Sequence, residues 1–359
     1  MDFGLSEEQE MLQETVRGFV QNECPTTRLR ELFDAGEGHD PALWSGLAEM
    51  GLAGLIVPEE HGGAAMELLD LALVAQVLGE AALPSPLLGH VLASLGVMLE
   101  GSAAQQAAIL PALASGEQIA VLALQEGDVG WSPSDWTLKL DGDRLSGEKT
   151  IVTHAHVADR ILVGLQGGGL AWVEADAQGV EIERVGGVDR SRPLATVRFE
   201  GAPAERLVGG EGEIGRLMDA ASVLLAADAF GAGTKLVDLD VAYSLSREQF
   251  GQPIAQFQAI KHTIARLATD LEPTRALWWY AAHALDHLPE EAAHAASVAK
   301  AHITDRAMNV ARESVELHGG YGFTWECEVQ MWFKRIMFDR SFLGTPEQHR
   351  ERCAGLGGW

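Results

Sequence analysis

The sequence predicts an α+β protein in three parts: an N-terminal helical domain (residues 1–117), a middle antiparallel β domain (118–207) and a C-terminal four-helix bundle (208–359). Three observations lead to this prediction. Apolar residues first recur at helical spacing, then occur in short runs rich in β-branched and aromatic residues, and finally return to helical spacing. A chain of 359 residues, 47% of them hydrophobic, is long enough to bury two or three cores.

The N-terminal part reads as a series of helices. Ser6 is a suitable N-cap residue ahead of Glu7 and Glu8, and Pro25 should end the helix that begins there. The loop at 57–63, rich in Gly and Pro, separates later helical segments.

The middle part reads as strands separated by Gly and Asp, which is typical of a small antiparallel sheet or barrel. Asp141 and Gly142 fit the turn of a β-hairpin over 140–145. The seven runs expected to form strands are 120–124, 136–140, 144–147, 160–163, 170–173, 180–183 and 195–199.

The C-terminal part reads as long helices over 217–247, 258–288 and 290–317, with a shorter one over 328–339. The first of these has a face of Ala and Gly, which suits close packing against neighbouring helices. Long antiparallel helices of this kind favour a four-helix bundle.

Composition limits the function. A formal net charge of −26 disfavours nucleic acid or an anionic membrane surface as a partner. The three cysteines, Cys24, Cys327 and Cys353, have no spacing that indicates a zinc site or a disulfide framework. The N-terminus has no basic segment followed by an apolar one, and no apolar run approaches the ~20 residues of a membrane span. We therefore expect a cytoplasmic protein.

Two C-terminal stretches have the composition of a ligand-binding surface. Residues 316–323 (ELHGGYGF) place three glycines directly after a long helical pattern, where backbone N–H groups can approach a ligand closely. Residues 246–258 (SREQFGQPIAQFQ) combine a cation with two phenylalanines.

The whole chain resembles the acyl-CoA dehydrogenase family. The resemblance depends on six motifs that occur in the family's order, none of which is specific alone. They are PEEHGG at 58–63, GEKTIVT at 147–153, GVDRS at 187–191, SREQFG at 246–251, FQAIKH at 257–262 and HGGYGF at 318–323.

The resemblance implies FAD as cofactor, bound between the β domain and the bundle and contacted by a neighbouring subunit's bundle. It assigns Arg247 to the pyrophosphate, which a guanidinium suits, and Thr153 to the flavin ring. Without the resemblance, Arg247 would be read as a solvated helix-end residue and the phenylalanines as core. The other implied FAD contacts are Gln249, Phe250, Phe257 and Gln258 for the adenosine half, and Glu316, Gly319 and Gly320 for the ADP part across the dimer interface.

The family's catalytic base is missing. That chemistry removes an α proton from an acyl thioester with a carboxylate, but the position that carries it in most members is Leu343 here. A second position used by some relatives falls at Ala221 and Ser222, which also lack a carboxylate. In addition, Leu124 stands where active members have a hydroxyl donor near the flavin.

A chain that keeps the groups offered to a neighbour's FAD but lacks a base resembles the non-catalytic subunit of heterotetrameric α2β2 acyl-CoA dehydrogenases of bacterial steroid or bile-acid side-chain degradation. This resemblance implies a catalytic partner subunit, an acyl-CoA substrate and an electron-transferring flavoprotein as oxidant. The phosphates of CoA would be bound by Arg190 or Arg192, or by the partner, which we prefer.

Alternatives remain at this point. The chain could be a homomeric flavoenzyme with an unusual base, for which Glu126, Asp128 and Asp228 are candidates. It could instead be a flavin-free scaffold protein that shares only the fold. A flavin oxidase or monooxygenase is a third reading, because one fold hosts several chemistries.

Overall fold

The computed structural model describes residues 4–127, 131–209 and 213–358. The helices within this part are α1 Glu7–Glu23, α2 Thr26–Ala35, α3 Pro41–Glu49, α4 Leu68–Glu80, α5 Leu87–Glu100, α6 Ala103–Ala114, α7 Ile214–Ser246, α8 Gln258–Leu271, α9 Arg275–His287, α10 Pro289–Leu317, α11 Val329–Ser341 and α12 Pro346–Leu356. The strands are β1 Ala120–Ala123, β2 Leu140–Asp141, β3 Arg144–Thr153, β4 Arg160–Gly164, β5 Leu170–Glu174, β6 Val180–Val185, β7 Leu194–Pro203, β8 Glu205–Arg206, β9 Glu248–Gln249 and β10 Gln252–Pro253.

The order of elements matches the predicted α+β fold: helices, then strands, then helices. Helix α1 begins as predicted, because the Ser6 hydroxyl accepts from the Gln9 N–H in a capping box. The exact domain bounds at 117 and 207 remain predictions.

One predicted helix was wrong in detail, and one helix was not predicted. The helix predicted over 258–288 is two helices, because a 3-10 turn containing Pro273 separates α8 from α9. Proline lacks the N–H that a continuous helix needs at that point. Helix α12 was not predicted; its start is set by a capping box between Thr345 and Gln348.

In the described part of the chain, eight strands form two four-stranded sheets, in the orders β1-β4-β5-β8 and β2-β3-β7-β6, and β9 pairs with β10. Pairing is antiparallel except between β1 and β4, which are parallel. The hairpin predicted over 140–145 is present, but its two loop residues are Gly142 and Asp143, because Asp141 pairs with Arg144 at the end of the strands. The run predicted over 136–140 is strand only at its end, and a 3-10 turn precedes it.

The contacts divide the chain into two units. One unit comprises the residues up to 30, 72–83 and those from 222 onward, and it contains the long C-terminal helices. The other comprises 31–71 and 84–221, and it contains both four-stranded sheets around an apolar core.

In the first unit, α4 and α7 pack through glycines. A Cβ atom at Gly231 would lie 2.0 Å from the Gln76 carbonyl oxygen, and one at Gly79 would lie 2.1 Å from that of Asp228. The small-residue face predicted for α7 therefore permits a helix contact that larger residues would prevent. By length and composition α7 could also cross a membrane, but 83% of its most apolar window is buried in the protein, as in a core helix.

Candidate functional site

The segment after α7 turns back at once in a tight hairpin. Strand β9 pairs with β10 around the two-residue loop Phe250-Gly251, whose φ angles are +54° and +79°. Positive φ at both loop positions matches the right-handed twist of paired strands, but it is unusual for phenylalanine. This geometry leaves Phe250 93% exposed at the tip.

The other predicted contacts of this stretch lie beside the hairpin. Phe257 is half-buried and its ring meets that of Phe250 edge to face, with centroids 6.0 Å apart. Gln258 is exposed at the first position of α8, and Gln249 is exposed on β9. The structure thus gathers four of the predicted residues around one projecting aromatic side chain.

Arg247 is exposed at the point where α7 ends and the hairpin begins. Its backbone is fixed, since its N–H donates to the Tyr243 carbonyl (2.8 Å) and its carbonyl accepts from Ile254 N–H (2.8 Å). Within the described ranges, the Arg247 guanidinium has no ion-pair partner, whereas Arg198 and Arg335 are both paired. A cation on a fixed backbone and without a carboxylate partner is open to an anionic ligand.

The end of α10 carries the glycine motif as a 3-10 turn over Gly319–Phe323. Gly319 has a φ of +59°, and a Cβ at Gly319 or Gly320 would meet no atom within 4 Å. Gly322 differs, because a Cβ there would lie 2.3 Å from the Val315 carbonyl oxygen. Two of the glycines therefore leave the backbone open to a ligand, and the third is required by packing. Glu316 is exposed one turn earlier.

Tyr243 connects the two stretches. Its ring stacks on the His318 imidazole with centroids 4.1 Å apart, and its hydroxyl donates to the His318 carbonyl (3.3 Å). Tyr243 lies one helical turn before Arg247, so this contact holds the hairpin and the glycine turn side by side. The sequence prediction missed Tyr243; its position four residues before the motif arginine was the available signal.

Thr153 lies in the other unit, at the end of β3 opposite Leu194. The register shifts between Lys149 and Val152, and Ile151 has a φ of +54°, which marks an irregular strand end. The neighbouring His154 is buried, and burial lowers its pKa to about 3. His154 is therefore a neutral structural residue at neutral pH. The assignment of Thr153 to the flavin remains a prediction.

Leu343 is the residue that the resemblance places at the position of the family's base. It is only 2% exposed, and its φ of +56° is strained for a leucine. The His349 imidazole fixes it through a hydrogen bond from Nε2 to the Leu343 carbonyl (3.0 Å). Ala221 and Ser222, at the second base position, are each 1% exposed on α7. None of the three side chains can accept a proton as a carboxylate does.

The described alternative carboxylates are already engaged. Asp228 is buried and paired with Arg335 through two hydrogen bonds of 2.8 and 2.7 Å. Glu126 accepts from Lys149 Nζ (2.6 Å) and from both the N–H and the hydroxyl of Thr137. These hydrogen bonds outweigh burial and lower the pKa of Glu126. The third candidate, Asp128, lies outside the described residues.

The cations considered for CoA differ in exposure. Arg190 is exposed and donates to the Asp34 carbonyl (3.0 Å). Arg192 is 4% exposed and acts on the buried His154, whose pKa it helps to lower. Arg192 is therefore placed for a role inside its own unit.

These residues fit the part of FAD that the resemblance assigns to them. An adenosine diphosphate group needs a cation for its phosphates, open backbone N–H groups and an apolar face for adenine. The first unit presents these as Arg247, the Gly319-Gly320 backbone and Phe250.

The chain belongs to the acyl-CoA dehydrogenase family. The family model described as "Acyl-CoA dehydrogenase, N-terminal domain" matches residues 6–117, and "Acyl-CoA dehydrogenase, C-terminal domain" matches residues 203–355. The acyl-CoA dehydrogenase IpdE2 of Mycolicibacterium smegmatis is 33% identical over 97% of this chain and 98% of its own length.

Two solved structures illustrate the shared fold. A variant of the Tcur3481-Tcur3483 steroid ACAD has a TM-score of 0.90 and 30% identity, covering 98% of each chain. A glutaryl-CoA dehydrogenase from Mycobacterium smegmatis in complex with FADH2 has a TM-score of 0.88, covering 99% of this chain and 96% of its own. At 22% identity the second likeness shows the fold alone.

Proposed function

We propose that the chain is one subunit of a two-chain, FAD-dependent acyl-CoA dehydrogenase that introduces an α,β double bond into an acyl-CoA thioester. In this arrangement the chain supplies contacts to a flavin shared with a catalytic partner and supplies no base. The partner is a homologous subunit in an α2β2 assembly. The complex acts in the cytoplasm, and an electron-transferring flavoprotein is its oxidant.

One observation supports the proposal: the position that the resemblance assigns to the catalytic carboxylate holds a buried leucine, Leu343. The α proton of a thioester is removed by a base whose pKa lies near the working pH. Of the substitutes considered, Asp228 and Glu126 are held in ion pairs with Arg335 and Lys149. Each would have to break its ion pair before it could act as a base.

The retained groups support a role toward the flavin. FAD, when bound, supplies the hydride acceptor of the reaction. Arg247 would hold its pyrophosphate, and Phe250, Phe257, Gln249 and Gln258 would line the adenosine. Glu316 with the Gly319-Gly320 backbone would contact the ADP part, and Thr153 the flavin ring.

The relatives support a substrate class for this proposal. The paired designation of the Tcur3481-Tcur3483 steroid ACAD and its 30% identity support a two-chain enzyme that acts on a steroid-derived acyl-CoA. Because this chain is strongly acidic and Arg192 is buried, we assign the phosphates of CoA to the partner subunit.

Co-expression with a homologous acyl-CoA dehydrogenase chain that carries the base tests the proposal. We expect a yellow complex with one FAD for every two chains, which reduces a ferricenium dye in the presence of acyl-CoA. The lone chain should not turn over. Strong turnover by the purified lone chain with any acyl-CoA would instead establish a homomeric enzyme.

An arginine pair provides the matched control for the flavin contact. Arg247→Ala should remove most of the FAD from the complex, because it deletes the cation assigned to the pyrophosphate. Arg144→Ala deletes an exposed arginine on the β2–β3 hairpin and should leave the flavin content unchanged. Equal flavin content in the two variants would contradict the role of Arg247 in binding the pyrophosphate.

A further inference from the structure

A buried acid lies beneath the glycine turn. Asp240 on α7 is 1% exposed, and one of its oxygens, Oδ2, accepts from the Ser314 hydroxyl on α10 (2.8 Å). The other oxygen, Oδ1, has no hydrogen-bond partner among the described residues and lies 3.5 Å from His318 Nδ1. A buried carboxyl with an unpaired oxygen is costly, so this arrangement calls for an explanation.

We propose that Asp240 is a positioning residue whose carboxyl group, through Ser314 and His318, fixes the turn Gly319–Phe323 that this chain contributes to the flavin. The role of this turn in flavin binding rests on the proposed function. The coupling between Asp240 and the turn does not depend on that function.

The coupling arises because His318 Nδ1 lies between two acceptors. Nδ1 is 2.9 Å from the Ser314 carbonyl, to which it donates, and 3.5 Å from Asp240 Oδ1. The Ser314 carbonyl belongs to the last turn of α10, so the first hydrogen bond caps the helix immediately before the glycines. A carboxylate attracts this proton more strongly than a carbonyl does. Ionised Asp240 therefore draws His318 away from the cap, and neutral Asp240 leaves it in place.

The surroundings make this change of charge possible near neutral pH. Burial raises the pKa of Asp240 to about 7, against a smaller lowering by the Ser314 hydroxyl. Among the described residues, the titratable groups that face Asp240 from other elements are His318 and Cys327. Burial lowers the pKa of His318 and raises that of the Cys327 thiol, so both are neutral at pH 7.

The far side of the turn is tied down independently. The Arg30 guanidinium donates to the carbonyls of Trp325 (2.8 Å) and Glu326 (3.2 Å). Tyr243 stacks on His318 at the near side. Because Arg30 holds the residues that follow the turn, a small displacement of His318 acts on Gly319 and Gly320, where an added Cβ would meet no atom within 4 Å.

Hydrogen exchange on the full-length chain tests the coupling. After correction for intrinsic exchange rates, the protection factors of the amides of residues 318–324 should fall by roughly tenfold as pH rises through 7. A tenfold change corresponds to a coupling of one pKa unit between Asp240 and the turn. Asp240→Asn keeps the shape and cannot ionise, so its protection should stay at the low-pH level. Asp238→Asn changes an exposed acid on the same helix and should behave as wild type.

A second variant covers the case in which Asp240→Asn does not fold. Ser314→Ala removes the hydroxyl that lowers the pKa of Asp240, so the midpoint of the protection change should move to higher pH. Protection that does not change with pH in wild type, or that changes identically in Asp240→Asn, would overturn the proposal.

Flavin content separates the two proposals. In the co-expressed complex, wild type should lose FAD more readily at pH 8 than at pH 6, whereas Asp240→Asn should retain it at both. A pH-dependent turn with unchanged FAD retention would support the positioning role and contradict the flavin role of the turn. Unchanged exchange would refute the positioning role whatever the flavin does.

Discussion

The Tyr243 ring stacks on the His318 imidazole at 4.1 Å and thereby joins two motifs that lie far apart in the sequence. On one side of this contact, α7 leads into the hairpin with Arg247 and Phe250. On the other side, α10 leads into the glycine turn. This aromatic pair, together with the hydrogen bond between Asp240 and Ser314, therefore helps to set the relative placement of the two proposed FAD contacts.

Substitutions at Tyr243 should separate stacking from hydrogen bonding. Tyr243→Phe keeps the stack and loses only a long hydrogen bond, so flavin content of the complex should stay near wild type. Tyr243→Ala removes the stack, worth roughly 0.5–1.5 kcal/mol, and should lower flavin content and raise hydrogen exchange in residues 318–324. Equal loss in both variants would mean that the hydroxyl, not the ring, holds the turn.

The glycines offer a test of ligand approach that is independent of folding. Gly320→Ala meets open space, so the melting temperature of the lone chain should hardly change, while the FAD content of the complex should fall. Gly322→Ala, two residues away, should lower the melting temperature, because its Cβ would collide with the Val315 carbonyl. A complex of Gly320→Ala with full flavin occupancy would remove Gly320 from the proposed site.

Asp228 should prove structural and not catalytic. Asp228→Asn weakens a buried ion pair and leaves Arg335 charged without its counter-ion, which should cost roughly 3–5 kcal/mol of folding free energy. Turnover per folded complex should stay within about twofold of wild type, whereas loss of a general base would lower it about 10²–10⁴-fold. Urea unfolding together with the dye assay would distinguish the two.

The pH dependence of stability should carry the signature of Asp240. Its folded pKa, about 7, exceeds the ordinary value of 3.8, so the folded state holds this proton more tightly than the unfolded chain. The free energy of unfolding should therefore fall between about pH 4 and pH 7, by an amount on the order of a few kcal/mol. The lowered pKa of His318 acts in the opposite direction, since its contribution is lost as pH falls below 6.5.

A paired measurement isolates the Asp240 term. Asp240→Asn mimics the protonated acid, so its stability should equal that of wild type near pH 4 and exceed it at pH 8. The difference between the two unfolding curves cancels the groups that do not interact with Asp240, and what remains includes the interaction between Asp240 and His318. A difference that does not grow with pH would contradict the raised pKa.

The sequence by itself determined the order of elements and the chemistry of the candidate site. Periodicity separates helices from strands because side chains repeat every 3.6 residues in one and every two in the other. The sequence alone also predicts that Leu343 cannot act as a base, since a leucine side chain has no carboxylate in any conformation. Pro273 could have signalled the break between α8 and α9, but the apolar spacing continued across it.

Only the tertiary structure decided which polar groups are available. The sequence offers Asp228 as a candidate base, but the fold brings it within 2.7 Å of Arg335, which neutralises its charge. Arg247 has the same chemistry as Arg335, yet it is exposed at a helix end and has no such partner within the described residues. Asp240, Ser314 and His318 become a group only when α7 packs on α10. Ion pairing and burial depend on contacts between distant segments of the chain, and local sequence patterns do not predict these contacts.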